Sequence, residues 1–121
     1  MNIYAHNIMD HYKNPRNKGE IADADASFRE LNRTCGDDIS VTIKFNGDII
    51  SDIKFMGSGC AISQATISIL SEKLIGKTRE EILDYNFLYL QKILGVPISD
   101  RRSKCALIGL LAIQHAVSKI L

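Results

Sequence analysis

The sequence predicts an α+β fold: a small antiparallel three-stranded sheet covered by helices on one side, with a long C-terminal helix. Residues 38–57 alternate between apolar and polar side chains around an Asn-Gly pair, which is typical of a β-hairpin. The segments after residue 60 carry apolar residues at helical spacing. Because helices follow a run of strands, the class is α+β.

The first segment, NIYAHNIMDHYKNPRN, is predicted to form a short helix. Ile3, Ile8 and Tyr12 share its apolar side. The helix should stop near Asn14, because Pro15 disfavours helical backbone in the residue before it. A loop follows, and ASFRELN is the candidate for the first strand.

The hairpin is the clearest local pattern in the chain. Apolar residues occupy every second position of its first strand: Ile39, Val41, Ile43 and Phe45. Asn46-Gly47 supplies a two-residue turn that favours positive φ. The second strand resumes the alternation at Ile49, Ile53 and Phe55. One face of the pair is therefore apolar and needs a cover.

Helices are expected to supply that cover. The segment CAISQATISILSEKLIG forms one helix that stops at Gly76, and its β-branched Ile67 and Ile69 leave a strand as the weaker alternative. Thr78 and Glu81 have the spacing of a capping box, so a second helix starts there.

Two further helices complete the predicted fold. Asn86 starts a short one, which Gly95 and Pro97 end. The terminal helix runs from about Lys104 through CALIGLLAIQHAVSKIL. Its buried stripe is expected at five positions: Leu107, Leu110, Leu111, Val117 and Leu121.

Length and composition favour one domain over residues 1–121. The chain has 121 residues, of which 45% are apolar, and a formal net charge of +1. This composition supports one core and gives no reason to expect a nucleic-acid binder. No apolar run reaches the length of a membrane span, and the N-terminus does not resemble a signal peptide. We expect a cytoplasmic protein that binds neither nucleic acid nor membrane.

The three cysteines, Cys35, Cys60 and Cys105, are far apart and each lies at the edge of a predicted element. The simplest interpretation is that they are buried small side chains, since dispersed thiols in a reducing cytosol rarely form disulfides. Their surroundings favour thiolates instead. Cys60 follows a glycine-rich turn at a helix N-terminus, and Cys105 begins the last helix behind the basic segment RRSK. We therefore favour a shared metal site.

Three thiolates leave a tetrahedral site one ligand short, and Asp37 is the natural fourth. At the start of a hairpin, residues i and i+2 can point to the same side, which would bring Asp37 beside Cys35. Asp38 is expected to be a turn or cap carboxylate. A set of Cys35, Asp37, Cys60 and Cys105 suits Zn²⁺, or an iron–sulphur cluster with one oxygen ligand.

The same residues resemble the U-type iron–sulphur scaffold family, which comprises IscU, SufU and the N-terminal part of NifU. DHYKNPRNKG is similar to the family's N-terminal signature, and TCGD, GSGCAIS and KCALI are similar to its three cysteine motifs in the same order. The likeness covers nearly the whole chain. It implies a single scaffold domain of the NifU-like N-terminal type, on which sulphur and iron are assembled into a [2Fe–2S] cluster.

The resemblance also implies roles for residues and partners. Cys35, Asp37, Cys60 and Cys105 match the family's ligands, with Asp37 at the position that keeps the cluster labile and Cys105 as the persulphide acceptor. A cysteine desulphurase of the IscS or SufS type would supply sulphur, and apo iron–sulphur acceptor proteins would receive the cluster. Two copies could form a homodimer. The chain would be a scaffold and carrier, not an enzyme.

Two departures from the IscU-type pattern leave a second function open. Lys104 stands where IscU-type members have histidine, as in SufU-type proteins, and we expect it to form hydrogen bonds, because lysine must lose a proton to ligate a metal. The segment LGVPISDRRSKC lacks LPPVK, which the dedicated chaperone reads in IscU. The short separation of Cys60 and Cys105 is nevertheless IscU-like. The alternative is a zinc-bound sulphur acceptor that activates its desulphurase.

The remaining polar residues indicate no competing active site. His6, His11 and His115 have no neighbouring carboxylate and nucleophile for a triad, and we expect surface or packing roles for His6 and His115. Arg101 and Arg102 are either solvated charges or a docking patch for the desulphurase. A structural zinc module is the third function left open.

Overall fold

The structure, a computed structural model, describes the backbone of residues 3–119 and the side chains of residues 5–119. The elements in chain order are α1 (Ile3–Lys13), β1 (Ala26–Asn32), β2 (Asp37–Asn46), β3 (Ile49–Ser58), α2 (Ala61–Lys73), α3 (Arg79–Asp84), α4 (Phe87–Leu94) and α5 (Ser103–Ser118). The strands form an antiparallel sheet in the order β1-β2-β3. The predicted α+β class is confirmed. None of the helices in residues 3–119 has the length and apolar character that a membrane span requires.

Helices α2 and α5 cover the apolar face of the sheet. Helix α5 lies against β1 and β2, α2 lies against β3, and α1 packs on the far side of α2. Alternate residues of β2 point towards the helices and are buried: Ile39, Val41 and Ile43. Burial of this apolar surface is the main stabilising contribution to such a domain.

The hairpin turn lies one residue further along than predicted. Asn46 pairs with Ile49, so the two turn residues are Gly47 and Asp48. Gly47 has φ +65°, which a residue with a side chain rarely adopts. Glycine therefore determines where the chain reverses, and asparagine ends the first strand.

A bulge beyond the turn changes which residues of β3 face the core. Phe45 pairs with Ile50, but Lys44 pairs with Asp52, so Ser51 has no opposite residue. The extra residue reverses the alternation of side chains. The prediction that Ile49 continues the apolar face was therefore wrong, since Ile49 is 44% exposed and Ile50 only 1%.

The predicted helix starts and stops are largely confirmed. Thr78 and Glu81 form a complete capping box at α3, and the side chain of Asn86 caps α4. Gly95 ends α4 with φ +70°. Helix α2 stops earlier than expected, at Lys73, and Gly76 lies in the turn that follows.

The buried faces of the terminal helices differ from the prediction. In α5, Leu110 and Val117 are buried, but Leu107 is only partly buried and Leu111 is 37% exposed. The reason is Gly109, where a Cβ atom would lie 3.0 Å from Ile67 of α2. Gly109 therefore allows α5 to lie close to Ile67 of α2, and Leu111 lies on a more exposed side of α5.

The N-terminal helix shows a similar difference. Ile8 is buried as expected, whereas Tyr12 is exposed. The predicted apolar roles of Ile3 and Leu121 concern side chains outside the described residues.

A buried polar cluster joins α1 to α2. His11 Nδ1 lies 2.7 Å from Ser68 Oγ, and the backbone N–H of Arg16 donates to the same oxygen at 2.8 Å. Asn17 Nδ2 donates to Ser71 Oγ at 3.1 Å. The serines of α2 thus face α1 and the loop after it, and these contacts fix the N-terminal segment on the domain.

Candidate metal centre

The four predicted ligands lie at the ends of elements that meet on one side of the domain. Cys35 is exposed in the connection between β1 and β2, and Asp37 is the buried first residue of β2. Cys60 caps the N-terminus of α2. Cys105 lies in the first turn of α5, as predicted, and is 2% exposed.

These positions bring the donor atoms close together. One ligand atom each from Cys35, Asp37 and Cys105 lies within 4.8 Å of the other two. Cys60 is not a member of this mutually close group, but its thiol lies near enough to Cys105 for each to affect the pKa of the other. Thiolates about 2.3 Å from zinc in a tetrahedron are about 3.8 Å apart, so a small contraction would make the set fit a metal.

Hydrogen bonds hold the Asp37 carboxylate from the side of α2. Its Oδ1 accepts from the backbone N–H of Cys60 at 3.1 Å and lies 3.0 Å from Ser63 Oγ. Its Oδ2 has a weaker contact with Asn32 Nδ2 at 3.4 Å. Oδ2 of Asp37 is therefore largely available to bind a cation, because only one weak hydrogen bond would compete for it.

Asp38 points to the opposite face of the sheet. Arg29 donates to both of its oxygens, at 3.0 and 2.7 Å, and this hydrogen bonding lowers the pKa of the Asp38 carboxyl. The expected role as a turn or cap carboxylate was wrong, since residue 38 already lies in β2, opposite Leu31, and its side chain is bound by Arg29. The alternation of the strand thus separates the two neighbouring aspartates.

Two glycines give the space that the site needs. A Cβ atom on Gly57, whose φ is +140°, would lie 1.9 Å from the carbonyl oxygen of Asp38. On Gly59 it would lie 2.4 Å from both Asp37 Oδ1 and Ser63 Oγ. Both glycines are therefore required for close approach, and Gly59 directly borders the candidate ligand.

The buried thiols differ in their tendency to ionise. Burial disfavours the Cys60 thiolate, but hydrogen bonds from Ser63 and Cys105 outweigh it and lower the pKa of this thiol. Burial raises the pKa of the Cys105 thiol, and its neighbours Cys35 and Cys60 add to the effect.

The prediction that nearby cations keep Cys105 ionised was therefore wrong. Arg101, Arg102 and Lys104 are exposed, and water screens their charge. A bound metal cation would instead deprotonate the coordinating thiol.

Ser63 was missed by the sequence prediction, although it stands in the GSGCAIS motif. Its backbone N–H donates to Cys60 Sγ at 3.5 Å, and its hydroxyl faces Asp37. The available signal was the spacing of Cys60 and Ser63, which is that of a helix cap and its partner in the first turn.

The family model for the NifU-like N-terminal domain matches residues 3–121. The chain belongs to this family. The predicted relationship to U-type scaffold proteins is thus confirmed, and the fold agrees with it.

Relatives of the NifU-like domain include proteins with two different descriptions. The "Zinc-dependent sulfurtransferase SufU" of Bacillus subtilis is 36% identical over 134 aligned positions, which cover 97% of this chain and 90% of the relative. The "Iron-sulfur cluster assembly scaffold protein IscU" of Streptococcus pyogenes is 39% identical over 93 positions, which cover 77% of this chain and 58% of the relative.

A solved structure shares the fold of this NifU-like domain. It is a crystal structure from Fervidobacterium islandicum of a protein assigned as an iron–sulphur cluster assembly scaffold for the SUF system. The TM-score is 0.83 at 30% identity, and the match covers 95% of this chain and 96% of that chain.

Proposed function

We propose that this chain is a single-domain scaffold for iron–sulphur cluster assembly, with Cys35, Asp37, Cys60 and Cys105 as ligands. The observation that carries the proposal is the convergence of Cys35, Asp37 and Cys105 within 4.8 Å, with the Cys60 thiol beside Cys105. Thiolates are suitable ligands for iron–sulphur clusters. The [2Fe–2S] cluster is the cargo, which the chain passes to apo acceptor proteins.

Asp37 is the ligand from which the cargo is released. A carboxylate oxygen is a harder donor than a thiolate and matches iron in a cluster less well. The protein holds Asp37 through Oδ1, so its Oδ2 can bind or leave the metal while the side chain stays in place. Release then requires no movement of β2.

Cys105 is the proposed acceptor of sulphur from a cysteine desulphurase. Its thiolate attacks the terminal sulphur of the donor persulphide, the donor S–S bond breaks, and the donor cysteine leaves as a thiolate. Because Cys105 is buried and Cys35 exposed, docking of the desulphurase must uncover Cys105. The exposed Arg101 and Arg102, just before α5, are the proposed docking contacts.

Persulphide mapping tests this assignment. The chain is incubated with a desulphurase and cysteine, and the sulphur adduct is located by mass spectrometry in the Cys35→Ser and Cys105→Ser variants. We expect the adduct to be lost only in Cys105→Ser. If the adduct disappears only in Cys35→Ser, the sulphur acceptor is the exposed thiol of Cys35 and not Cys105.

Anaerobic reconstitution with iron and sulphide tests the scaffold function. We expect a brown protein with one [2Fe–2S] cluster per subunit or per homodimer, which light scattering distinguishes. Asp37→Ala should retain its cluster longer than the wild type, and Asp38→Ala serves as the matched control. Failure to form a cluster, or faster loss from Asp37→Ala, would contradict the scaffold proposal.

A zinc-bound sulphur carrier that activates its desulphurase is the second candidate. A protein described as a zinc-dependent sulfurtransferase is 36% identical over 97% of this chain, and this similarity favours the carrier. Lys104, just before the last cysteine, also favours it. Four donors also suffice for one tetrahedral zinc ion. Tightly bound zinc in the freshly purified chain, together with strong stimulation of desulphurase turnover, would favour this carrier over the scaffold.

A structural zinc module would behave differently from both candidates. Removal of the metal would then unfold the domain, since the metal-binding free energy would be part of its folding free energy. Cys105→Ser would leave sulphur transfer unaffected. Circular dichroism of the chelator-treated chain distinguishes this outcome.

A further inference from the structure

We propose that Ser63 is a positioning residue for Asp37: its hydroxyl fixes one carboxylate oxygen so that the other faces the metal. This inference rests on the proposed ligand set. Ser63 Oγ lies 3.0 Å from Asp37 Oδ1, and the two residues are 0% and 2% exposed. A buried carboxylate needs hydrogen-bond donors, and Ser63 supplies one of them.

The hydroxyl proton of Ser63 has two acceptors within reach. Oγ lies 3.0 Å from Asp37 Oδ1 and 3.0 Å from the carbonyl oxygen of Cys60. A hydrogen bond to an ionised carboxylate is about twice as strong as one between neutral groups. The proton is therefore directed to Asp37, and the backbone carbonyl is the secondary acceptor.

The surrounding residues are arranged around this contact. Gly59 leaves the space that the Asp37 and Ser63 oxygens occupy, since a Cβ atom there would lie 2.4 Å from each. The backbone N–H of Ser63 also donates to Cys60 Sγ at 3.5 Å. Ser63 thus touches two of the four candidate ligands from the first turn of α2.

The second carboxylate oxygen is much less restrained. Asp37 Oδ2 has only the 3.4 Å contact with Asn32 among the hydrogen bonds seen for side chains 5–119. Loss of a group that orients a metal ligand typically weakens metal binding by about 10- to 100-fold. Removal of the Ser63 hydroxyl should therefore weaken binding through Asp37.

The test is a double-variant cycle on the full chain, with zinc affinity measured by competition against a chromophoric chelator. The variants are Ser63→Ala, Asp37→Ala and their combination. Ser71→Ala is the matched control, because Ser71 is a buried serine of α2 whose hydroxyl donates to the Ser68 carbonyl, away from Asp37. The absorption spectrum of each Co²⁺-loaded variant reports the ligand geometry.

We expect Ser63→Ala to weaken zinc binding about 10-fold and to alter the Co²⁺ spectrum. In the Asp37→Ala background the same change should alter affinity less than about twofold, as should Ser71→Ala in the wild type. If Ser63→Ala merely destabilises the fold, its effect persists in both backgrounds and the inference is wrong.

Two negative results have different meanings. An unchanged affinity in Ser63→Ala, when Asp37→Ala does weaken binding, overturns the inference and leaves the ligand set intact. An unchanged affinity in Asp37→Ala overturns the ligand set and the inference with it.

Discussion

The backbone N–H of Cys60 donates a hydrogen bond of 3.1 Å to Oδ1 of Asp37, so one candidate ligand holds another in place. Cys60 caps α2 and Asp37 begins β2, and the contact therefore joins a helix N-terminus to the end of a strand. The partial positive charge of a helix N-terminus also favours a carboxylate at this position. This hydrogen bond thus orders the candidate site and also links α2 to the sheet.

Gly59→Ala should impair metal binding more than folding. The added Cβ would lie 2.4 Å from Asp37 Oδ1 and Ser63 Oγ, so the carboxylate has to move. We expect zinc affinity to fall by about 10-fold or more.

Gly109→Ala is the contrasting variant, because its Cβ would meet Ile67 at 3.0 Å in the core. Overpacking of this kind costs about 1–3 kcal/mol of unfolding free energy. It should lower stability and leave the zinc affinity of the folded protein unchanged. The interpretation of Gly59 fails if the two variants show the same pattern in chemical denaturation and chelator competition.

The same change at the two adjacent aspartates should affect zinc affinity at Asp37 but not at Asp38. Asp37→Asn removes the charge of a candidate ligand, and we expect a loss of zinc affinity of about 10-fold or more. Asp38→Asn acts on the other face of the sheet, where Arg29 is its partner, and should leave affinity within about threefold. The two variants make the same chemical change, and chelator competition measures the zinc affinity of each. A larger loss of affinity in Asp38→Asn would refute the assignment of Asp37 as a ligand.

Stability should decrease as the pH falls because of His11. Burial lowers the pKa of this histidine, Arg16 adds to the shift, and Glu72 and Asp10 oppose it. A folded-state pKa below the unfolded value of about 6.5 means that the unfolded chain binds the proton more readily. The contribution of His11 is therefore fully present above this pH and declines as the solution becomes more acidic.

The His11→Gln variant measures this contribution by urea denaturation at pH 8 and pH 5. At pH 8 it should be less stable than the wild type by about 1–2 kcal/mol, since the buried Ser68 hydroxyl loses its contact with the histidine ring and keeps only that with the N–H of Arg16. The difference should narrow at pH 5. His115→Gln, at an exposed histidine, is the control. The prediction is contradicted if the difference in unfolding free energy between His11→Gln and the wild type is the same at both pH values.

The bulge in β3 can be tested with two neighbouring isoleucines. Ile50→Ala removes a side chain that is buried in the core, and should lower the unfolding free energy by about 2–5 kcal/mol. Ile49→Ala acts on an exposed residue and should change it by less than about 1 kcal/mol. Chemical denaturation that gave the reverse order would mean that β3 pairs without the bulge.

The hairpin, the capped helices and the proximity of Asp37 to Cys35 could be predicted because each depends on short-range spacing. A turn signal, a capping box and the parity of a strand are all visible within a few residues. The bulge at Ser51 could not be predicted, because it depends on how Ile50 packs against the helices. One shifted residue was enough to exchange the roles of Ile49 and Ile50.

Contacts between distant segments account for the other differences. Leu111 looked like part of an apolar stripe, but the side of α5 that lies against Ile67 of α2 is the one that carries Gly109. His11 gave no local signal, since its partner Ser68 lies 57 positions away. The contact of Ser63 with Asp37 likewise depends on a strand that is distant in sequence.

The loop of residues 17–19 has a consequence for how the sheet could be extended. The carbonyl of Asn17 accepts a hydrogen bond from the N–H of Phe55, and the N–H of Gly19 donates one to the carbonyl of Phe55. The middle of the outer edge of β3 is therefore occupied. Within the described residues, β1 and β3 are both edge strands, and the isolated bridges to residues outside the sheet lie on β3, not on β1. Exposed strand edges are where an extended peptide or a second copy adds by backbone pairing. Such an addition would bring the incoming chain next to Asn32 and hence beside the loop that carries Cys35.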